Sequence, residues 1–171
     1  LSNGTNGGFF LYHGDNKQVT VGLIIDLSYD NPHLSPFDEF QRLKHHPVLK
    51  QHLEGGTRVS YGARAVEKGG LFALPKMSLP GELLIGCDAG TMNFSKIKGS
   101  HTAMKSGMLD AETLFEALAN GDEGKQDLQV YGDKFKQSWL HEELYKARNF
   151  GAAMHKFGMW LGGAFNWIEQ N

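Results

Sequence analysis

The first hydrophobic positions of the chain fall in two short runs, with polar positions between them. Residues 8–13 and 18–26 are rich in aromatic and β-branched side chains, and the turn-forming residues 14–17 separate them. These residue types favour strands, and a short polar turn between two such runs is typical of a hairpin. The pattern therefore predicts a β-hairpin at the start of the chain.

A helical period follows from residue 35. Ser35 is suited to cap a helix, Pro36 to occupy its first position, and Asp38 to complete a capping box. Three apolar residues then recur on one helical face, namely Phe37, Phe40 and Leu43. Pro47 interrupts this period, so we expect a second short helix that runs to Leu53 and ends at the glycine pair 55–56.

Strand-like segments and then helix-like segments follow in the rest of the chain. Residues 57–66 predict a strand, and residues 83–86 predict a short buried strand. A helix is predicted from Ser100 to Leu118, with an apolar face made of Met104, Met108, Ala111, Leu114, Phe115 and Leu118. Two further helices are predicted at 125–139 and 141–148. Strands followed mainly by helices indicate an α+β fold, with an incomplete α/β domain as the alternative.

The last apolar segment, residues 150–168, contains a nine-residue apolar run at 157–165. This run is far shorter than the roughly 20 residues needed to span a bilayer. One interpretation is a buried core helix, although three glycines make it a poor helix former. We favour a segment at the membrane surface, with Lys156 on its polar side and an apolar side made of Phe157, Trp160, Phe165 and Trp167.

Charge and cysteine content exclude several classes of protein. The 171 residues carry a net charge of −2, without the basic face typical of nucleic-acid binding proteins. The single Cys87 cannot form an internal disulfide, and no histidine, cysteine or carboxylate spacing predicts a metal site. Because neither end looks like a natural terminus, we expect the chain to be a piece of a longer protein.

Residues 83–118 predict the main functional site, a strand, a glycine-bearing loop and a helix in sequence. The first backbone N–H groups of a helix have no partner within it, and the helix dipole adds partial positive charge there. The unit can therefore hold an anionic or electron-rich group, although an ordinary connection between a strand and a helix is the alternative.

Six ordered motifs identify the family that the chain resembles. The longest is Gly-Cys-Asp-Ala-Gly-Thr-Met-Asn-Phe-Ser-Lys-Ile-Lys-Gly-Ser-His-Thr-Ala-Met-Lys-Ser-Gly at residues 86–107. The other five lie at residues 7–13, 31–37, 39–42, 53–56 and 61–65. Together they resemble electron-transfer flavoprotein:ubiquinone oxidoreductase, and the resemblance extends from about Gly7 to about Asn149.

The resemblance implies a flavin contact in the loop and the helix that follows. The residues it assigns to FAD are Gly86, Cys87, Asp88, Gly90, Asn93, Lys98, Gly99 and Thr102. The negative charge of reduced flavin near its pyrimidine edge suits a helix N-terminus. Cys87 stands where many members of the wider fold have an aspartate, and we expect its side chain to be a small buried hydrophobe.

The resemblance also implies a quinone site at Gly7 and Gly8, where backbone without Cβ lets a flat ring approach closely. The alternative is that the two glycines are a flexible lead into the first strand. The family has Tyr before this pair, whereas the present chain has Asn6. The implied domains are a quinone-binding part at 1–80, an FAD-binding part at 81–149 and a membrane-surface segment at 150–171.

The implied activity is electron transfer from reduced electron-transfer flavoprotein to ubiquinone, without a general acid or base. The family's cofactors are FAD and a four-iron four-sulfur cluster. The chain has neither the N-terminal Gly-x-Gly-x-x-Gly fingerprint nor a cysteine cluster, so these belong outside it. The expected location is the surface of the bacterial or mitochondrial inner membrane. The alternatives are another FAD-dependent enzyme of the geranylgeranyl-reductase type and a non-catalytic binding domain.

Overall fold

The chain forms two compact units, residues 1–62 and residues 63–171. The computed structural model describes residues 5–122 and 126–170 of it. Each unit contains a small antiparallel sheet together with helices, which confirms the α+β class.

A β-hairpin begins the first unit, as the two runs of strand-forming residues predicted. Strand β1 (Gly7–His13) pairs antiparallel with β2 (Val19–Ile25) in the register Gly7↔Ile25 to His13↔Val19. The turn between them reverses through Asn16 and Lys17, whose φ values of 56° and 59° are left-handed. Asparagine tolerates this region better than most residues, and such turns match the twist of the flanking strands.

Two short helices follow the hairpin with the predicted boundary at Pro47. Helix α1 (Pro36–Lys44) begins where the Ser35 hydroxyl accepts a hydrogen bond from the Asp38 amide at 3.2 Å. Helix α2 (Pro47–Leu53) contributes Leu49, which is almost fully buried. Phe37 of the predicted apolar face is instead exposed.

Two sequence-based expectations for strands are wrong. Residues 57–66 form no strand and are exposed, because β-branched and aromatic composition does not make a strand where no partner pairs with it. The short buried strand expected at 83–86 is a two-residue strand β4 (Glu82–Leu83), which pairs with β3 (Ser78–Leu79). Leu84 and Ile85 lie beyond β4 and are exposed.

Helix α3 (Ser100–Ala119) has the predicted extent but buries a different face. Its buried residues are Thr102, Ser106, Leu109 and Thr113, whereas the large residues of the predicted face, Met104, Met108, Leu114, Phe115 and Leu118, are exposed. The three buried hydroxyls donate to carbonyls of their own helix or its cap at 2.7–2.8 Å. Because these bonds satisfy the hydroxyls, this small polar face can be buried.

Helices α4 (Gln129–Gln137) and α5 (Trp139–Lys146) are displaced from the predicted ranges 125–139 and 141–148. Residue 125 lies outside the described part of the chain. Ser138 separates the two helices in an extended conformation, which ends α4 and starts α5. The core of this unit consists of Met77, Ala89, Leu109, Tyr131, Phe135, Leu140 and Leu144.

Helix α6 (Phe150–Gln170) folds back on itself at Gly158, whose φ of 70° is non-helical. Its halves lie side by side, since the Asn166 amide donates to the Phe150 carbonyl at 3.3 Å. Gly162 makes this approach possible, because a Cβ there would lie 2.6 Å from the Ala153 carbonyl oxygen. Among the described residues, no helix combines the length and the apolar character that crossing a membrane requires.

Candidate functional site: the loop before helix α3

The first residue of the loop predicted to contact flavin, Gly86, is hydrogen-bonded to helix α3. The Gly86 amide donates to the buried Ser106 hydroxyl at 2.9 Å, and the Gly86 carbonyl accepts from the amides of Ala89 and Thr91. Gly86 and Gly90 have φ values of 70° and 95°. These left-handed conformations favour glycine, and they let the chain turn tightly beside the helix.

Asn93 organises the second half of the loop. Its backbone exchanges hydrogen bonds with Lys98 at 3.0 and 3.1 Å, which closes a small turn. Its side-chain oxygen accepts from the Ser95 hydroxyl at 2.8 Å and from the Lys96 amide at 3.3 Å. Asn93 is almost fully buried, so its side-chain bonds are shielded from water and, with the backbone bonds, fix the conformation of this turn.

The N-terminus of α3 lies at the end of this loop without a side-chain cap. Gly99 is the N-cap residue and offers no side-chain acceptor to the first turn. Thr102 is fully buried, and its hydroxyl donates to the Gly99 carbonyl at 2.8 Å. Because no capping side chain satisfies the first-turn N–H groups, the end of the helix suits an anionic or electron-rich group from outside.

Glu143 of helix α5 joins the loop to the first turn of α3. One of its oxygens, Oε1, accepts from Asn93 Nδ2 at 2.7 Å, lies 2.9 Å from His101 Nε2 and lies 3.7 Å from Lys96 Nζ. Burial works to raise the pKa of the Glu143 carboxyl, but the hydrogen bonds from Asn93 and His101 and the nearby charges hold it below its ordinary value of 4.5. The carboxylate is therefore the form that the site favours.

Sequence reasoning missed Glu143. The residue lies 50 positions from Asn93 and 42 from His101, and no local motif marks it. Only the packing of α5 against the loop brings these side chains together. The His101 ring also stacks on Trp139 of the same helix, with parallel planes and centroids 5.9 Å apart.

The remaining predicted flavin residues differ in their exposure. Asp88 is exposed, and its carboxylate lies 3.6 Å from the Arg64 guanidinium, a surface pair of small energetic value. Lys98 is exposed, and Cys87 is half-buried rather than fully buried as expected. Cys87 lies in the short helical turn Gly86–Asp88. The structure thus brings the predicted set together on one loop and one helix end.

Two further features lie beside the loop. Thr91 is fully buried, and its hydroxyl has no protein partner in the described structure. A cleft of about 210 Å³ runs between the loop and the start of α6, and its lining includes Lys68, Met92, Phe94 and Arg148. Of the residues predicted to contact flavin, the cleft includes only Asn93, so it is a separate feature from the helix end.

The predicted quinone residues lie at the start of β1. Both glycines are exposed, and a Cβ on Gly8 would meet nothing within 4 Å. At the two ends of the β1–β2 pair, the Asp26 amide donates to the Asn6 carbonyl and the Gly14 amide donates to the Gln18 carbonyl. These two bonds determine which residues of β1 have their amides directed toward β2, namely every second one. In an antiparallel pair this alternation directs the Gly8 amide toward β2 and the Gly7 amide toward the outer edge.

The predicted membrane contacts are exposed on the folded-back helix α6. Trp160 and Trp167 are 83% and 71% exposed, and Phe157 and Phe165 are nearly half exposed. The rings of Phe157 and Phe165 contact each other across the hairpin at a centroid distance of 6.2 Å. Large apolar side chains therefore surround the turn at Gly158.

The described residues contain no group of three or more side chains that could hold a metal ion. With a single cysteine in the sequence, this chain has no donor set for an iron–sulfur cluster.

Comparison with known proteins gives matches of one kind, by a family description over part of the chain and by similar proteins over all of it. The family description "ETF-QO, ubiquinone-binding" matches residues 1–66. The chain is 69% identical over its whole length to the electron transfer flavoprotein-ubiquinone oxidoreductase of Pseudomonas aeruginosa, covering 31% of that protein. It is 59% identical to a probable enzyme of that name from Acinetobacter baylyi, over 98% of the chain and 32% of the relative. The mitochondrial enzyme of that name from Bos taurus is 48% identical, over 98% of the chain and 29% of the relative. The chain thus spans about a third of these proteins.

Proposed function

Because the chain belongs to the electron transfer flavoprotein-ubiquinone oxidoreductase family, we propose that it works within a longer enzyme that passes electrons from reduced electron-transfer flavoprotein to ubiquinone. The observation that carries this proposal is the 69% identity over all 171 residues to a relative of that name. The geometry of the loop and of helix α3 supports it, because a helix end without a side-chain cap suits an electron-rich ring or a phosphate.

In this proposal the loop and the helix end form one wall of an FAD site. FAD would supply the redox chemistry when bound. The N–H groups after Gly99 would face the pyrimidine edge of the ring, and Gly86, Gly90 and Gly99 would keep the backbone close to it. Asn93 would hold the loop in shape, while the exposed Asp88 and Lys98 would contact polar parts of the cofactor. The unpartnered Thr91 hydroxyl offers a further polar atom in this region.

Gly7 and Gly8 would contact the quinone. The outward Gly7 amide is free of the β1–β2 ladder by the alternation of the strands, so it is the donor available to a quinone carbonyl. Gly8 adds a surface without a side chain, against which a flat ring can lie. We place the quinone-binding part at residues 1–80 and the FAD-binding part at 81–149.

Residues 150–171 would hold the enzyme at the membrane surface, from which ubiquinone enters. The exposed aromatic side chains around Gly158 support this proposal, since burial of one such side chain is worth roughly 1.5–3 kcal/mol. We place the enzyme at the bacterial or mitochondrial inner membrane. A four-iron four-sulfur cluster and the FAD pyrophosphate fingerprint would lie in parts of the enzyme beyond this chain.

The test is the visible absorbance of a full-length enzyme that carries this segment, followed by an assay of ubiquinone reduction with reduced electron-transfer flavoprotein as donor. Flavin bands with a broad iron–sulfur shoulder, together with ubiquinone reduction, are the expected result. Flavin bands alone would instead indicate a geranylgeranyl-reductase-like enzyme. The absence of both chromophores would indicate a non-catalytic binding domain and overturn the proposal.

A further inference from the structure

Three donors converge on one oxygen atom of Glu143. Asn93 Nδ2 and His101 Nε2 lie 2.7 and 2.9 Å from Oε1, and Lys96 Nζ lies 3.7 Å from the same atom. They come from the loop and from the first turn of α3, whereas Glu143 belongs to α5. The Glu143 side chain is only 19% exposed, so water replaces these contacts poorly if the carboxylate is removed.

Asn93 transmits this contact to the loop backbone. Since its oxygen accepts from Ser95 and Lys96, its amide group is oriented so that the nitrogen faces Glu143. The Lys98 amide donates to the Asn93 carbonyl at 3.1 Å, and Ile97 between them is held in a left-handed conformation with φ 53°. A β-branched residue adopts this conformation only where its surroundings impose it.

We infer that Glu143 is a positioning residue: through Asn93 and His101 it sets the conformation of the 93–98 turn and its distance from the N-terminus of α3. This inference rests on the proposed function where it concerns flavin, because the loop so positioned is the one assigned to FAD. Glu143 itself need not touch the cofactor. Its effect is on how well the loop is preorganised for binding.

The experiment uses a full-length enzyme that carries this segment, with Glu143→Ala, Glu143→Gln and the control Glu142→Ala. Glu142 is the preceding residue of the same helix, but its exposed carboxylate pairs only with Lys146 among the described side chains, at 2.8 Å. Glutamine keeps one carbonyl oxygen for Asn93 and His101, but it loses the charge and has an NH2 donor in place of the second oxygen. We therefore expect partial rescue in Glu143→Gln.

The first readout is amide hydrogen exchange in the enzyme without FAD. Protection of the Lys96 and Lys98 amides should fall at least tenfold in Glu143→Ala, less in Glu143→Gln, and not at all in Glu142→Ala. This measurement does not depend on flavin binding, so it tests the inference even if the proposed function fails. Unchanged protection in Glu143→Ala overturns the inference, and if that variant does not fold, unchanged protection in Glu143→Gln overturns it.

The second readout is the FAD dissociation constant, together with the visible circular dichroism of bound flavin. We expect weaker FAD binding by about tenfold in Glu143→Ala, an altered flavin dichroism, and intermediate values in Glu143→Gln. A merely structural role would lower thermal stability without changing the dichroism of the flavin that remains bound. Binding and dichroism equal to those of Glu142→Ala would show that the loop does not depend on Glu143 for flavin, and would overturn the inference for the holoenzyme.

Discussion

The Cys87 sulfur fills the space that a side chain on Gly99 would need. An ideal Cβ built on Gly99 would lie 2.6 Å from Cys87 Sγ and 3.3 Å from Met92 Cγ. The turn after Gly86 and the N-cap of α3 therefore touch through a thiol on one side and bare backbone on the other. The backbone of Gly99 itself is compatible with alanine, since its φ is −128°. The requirement for glycine is steric.

Gly99→Ala should therefore push the two halves of the loop apart and lower flavin content. We expect a loss of about 1–3 kcal/mol in stability, the range typical of overpacking, and Gly99→Val should be worse. Adding Cys87→Ala to Gly99→Ala should restore part of the loss, because it removes the nearest atom. The measurements are denaturant unfolding and the flavin-to-protein ratio of the purified full-length enzyme.

Gly107→Ala is the matched control, since a Cβ there would lie 3.9 Å from the nearest atom outside the helix backbone, Ile85 Cδ1, and the residue lies inside the same helix. Alanine should stabilise the helix there by roughly 0.5–1 kcal/mol. Equal flavin content in Gly99→Ala and Gly107→Ala would contradict the steric account.

The hydrogen bond from Gly86 to Ser106 should contribute measurably to stability. Ser106→Ala leaves the Gly86 amide without its acceptor beside a buried helix face, and we expect a loss of about 1–2 kcal/mol. Thr113→Val is the control on the same face, because the Thr113 hydroxyl donates only within α3, to the Leu109 carbonyl. Chemical denaturation of both variants gives the comparison, and a larger loss in Thr113→Val would argue against a special role for Ser106.

How far the sequence predicts this structure depends on the range of the interactions involved. Ser35, Pro36 and Pro47 act within one helical turn, so the boundaries of α1 and α2 could be predicted from them. The buried face of α3 could not be predicted, because hydropathy scales rank threonine and serine as polar. In the structure the Thr102 and Ser106 hydroxyls each donate to a carbonyl of the helix or its cap and can therefore be buried.

Long-range contacts explain why the other parts of the structure could not be predicted from the sequence. Gly86, Asn93 and Gly99 could be assigned to one site because the motif is continuous from 86 to 107. Glu143 reaches the same site only through the packing of α5, which no periodicity in the sequence encodes. Residues 57–66 have strand-like composition, but strand formation requires a pairing partner that composition does not supply.

Alkaline pH should destabilise the second unit through Tyr131. Burial, with a smaller effect from the charge of Asp110, raises the pKa of this phenol to about 12, above its ordinary value of 10. The folded state therefore favours the neutral phenol, whose hydroxyl donates to the Leu84 carbonyl at 3.0 Å. Its contribution is complete below pH 10 and is lost as the pH rises from 10 toward 12.

Tyr131→Phe should be less stable than the parent protein near pH 8, by about 1 kcal/mol for the lost hydrogen bond. Between pH 10 and 12 the difference should shrink, because phenylalanine has no proton to lose. Unfolding free energies of the two proteins at several pH values give the test. A difference that stays constant up to pH 12 would show that Tyr131 does not control the alkaline loss.

The isolated 171-residue chain should bind FAD weakly or not at all. Its loop and helix end supply one wall of the proposed site, whereas the dinucleotide-phosphate fingerprint is absent from its sequence. Calorimetric titration of the chain with FAD, beside the same titration of a full-length enzyme freed of flavin, gives the comparison. Sub-micromolar binding by the isolated chain would show that the remainder of the enzyme is not needed to hold the cofactor.

The aromatic side chains of α6 should hold the full-length enzyme at a bilayer surface. Trp160, Phe165 and Trp167 are exposed on a helix that folds back at Gly158, so they can enter an interface without spanning it. Changing all three to serine should reduce cosedimentation with liposomes by at least tenfold and slow ubiquinone reduction. Flavin content should stay the same, because these side chains lie outside the loop and the first turn of α3.

The control for this prediction is Tyr61→Ser, which removes an aromatic side chain that is 88% exposed outside α6 and should leave liposome binding unchanged. The isolated chain with the three serines should also self-associate less, since an exposed apolar patch favours contact between copies. Liposome binding that survives the triple substitution would mean that the enzyme uses another surface to reach its quinone.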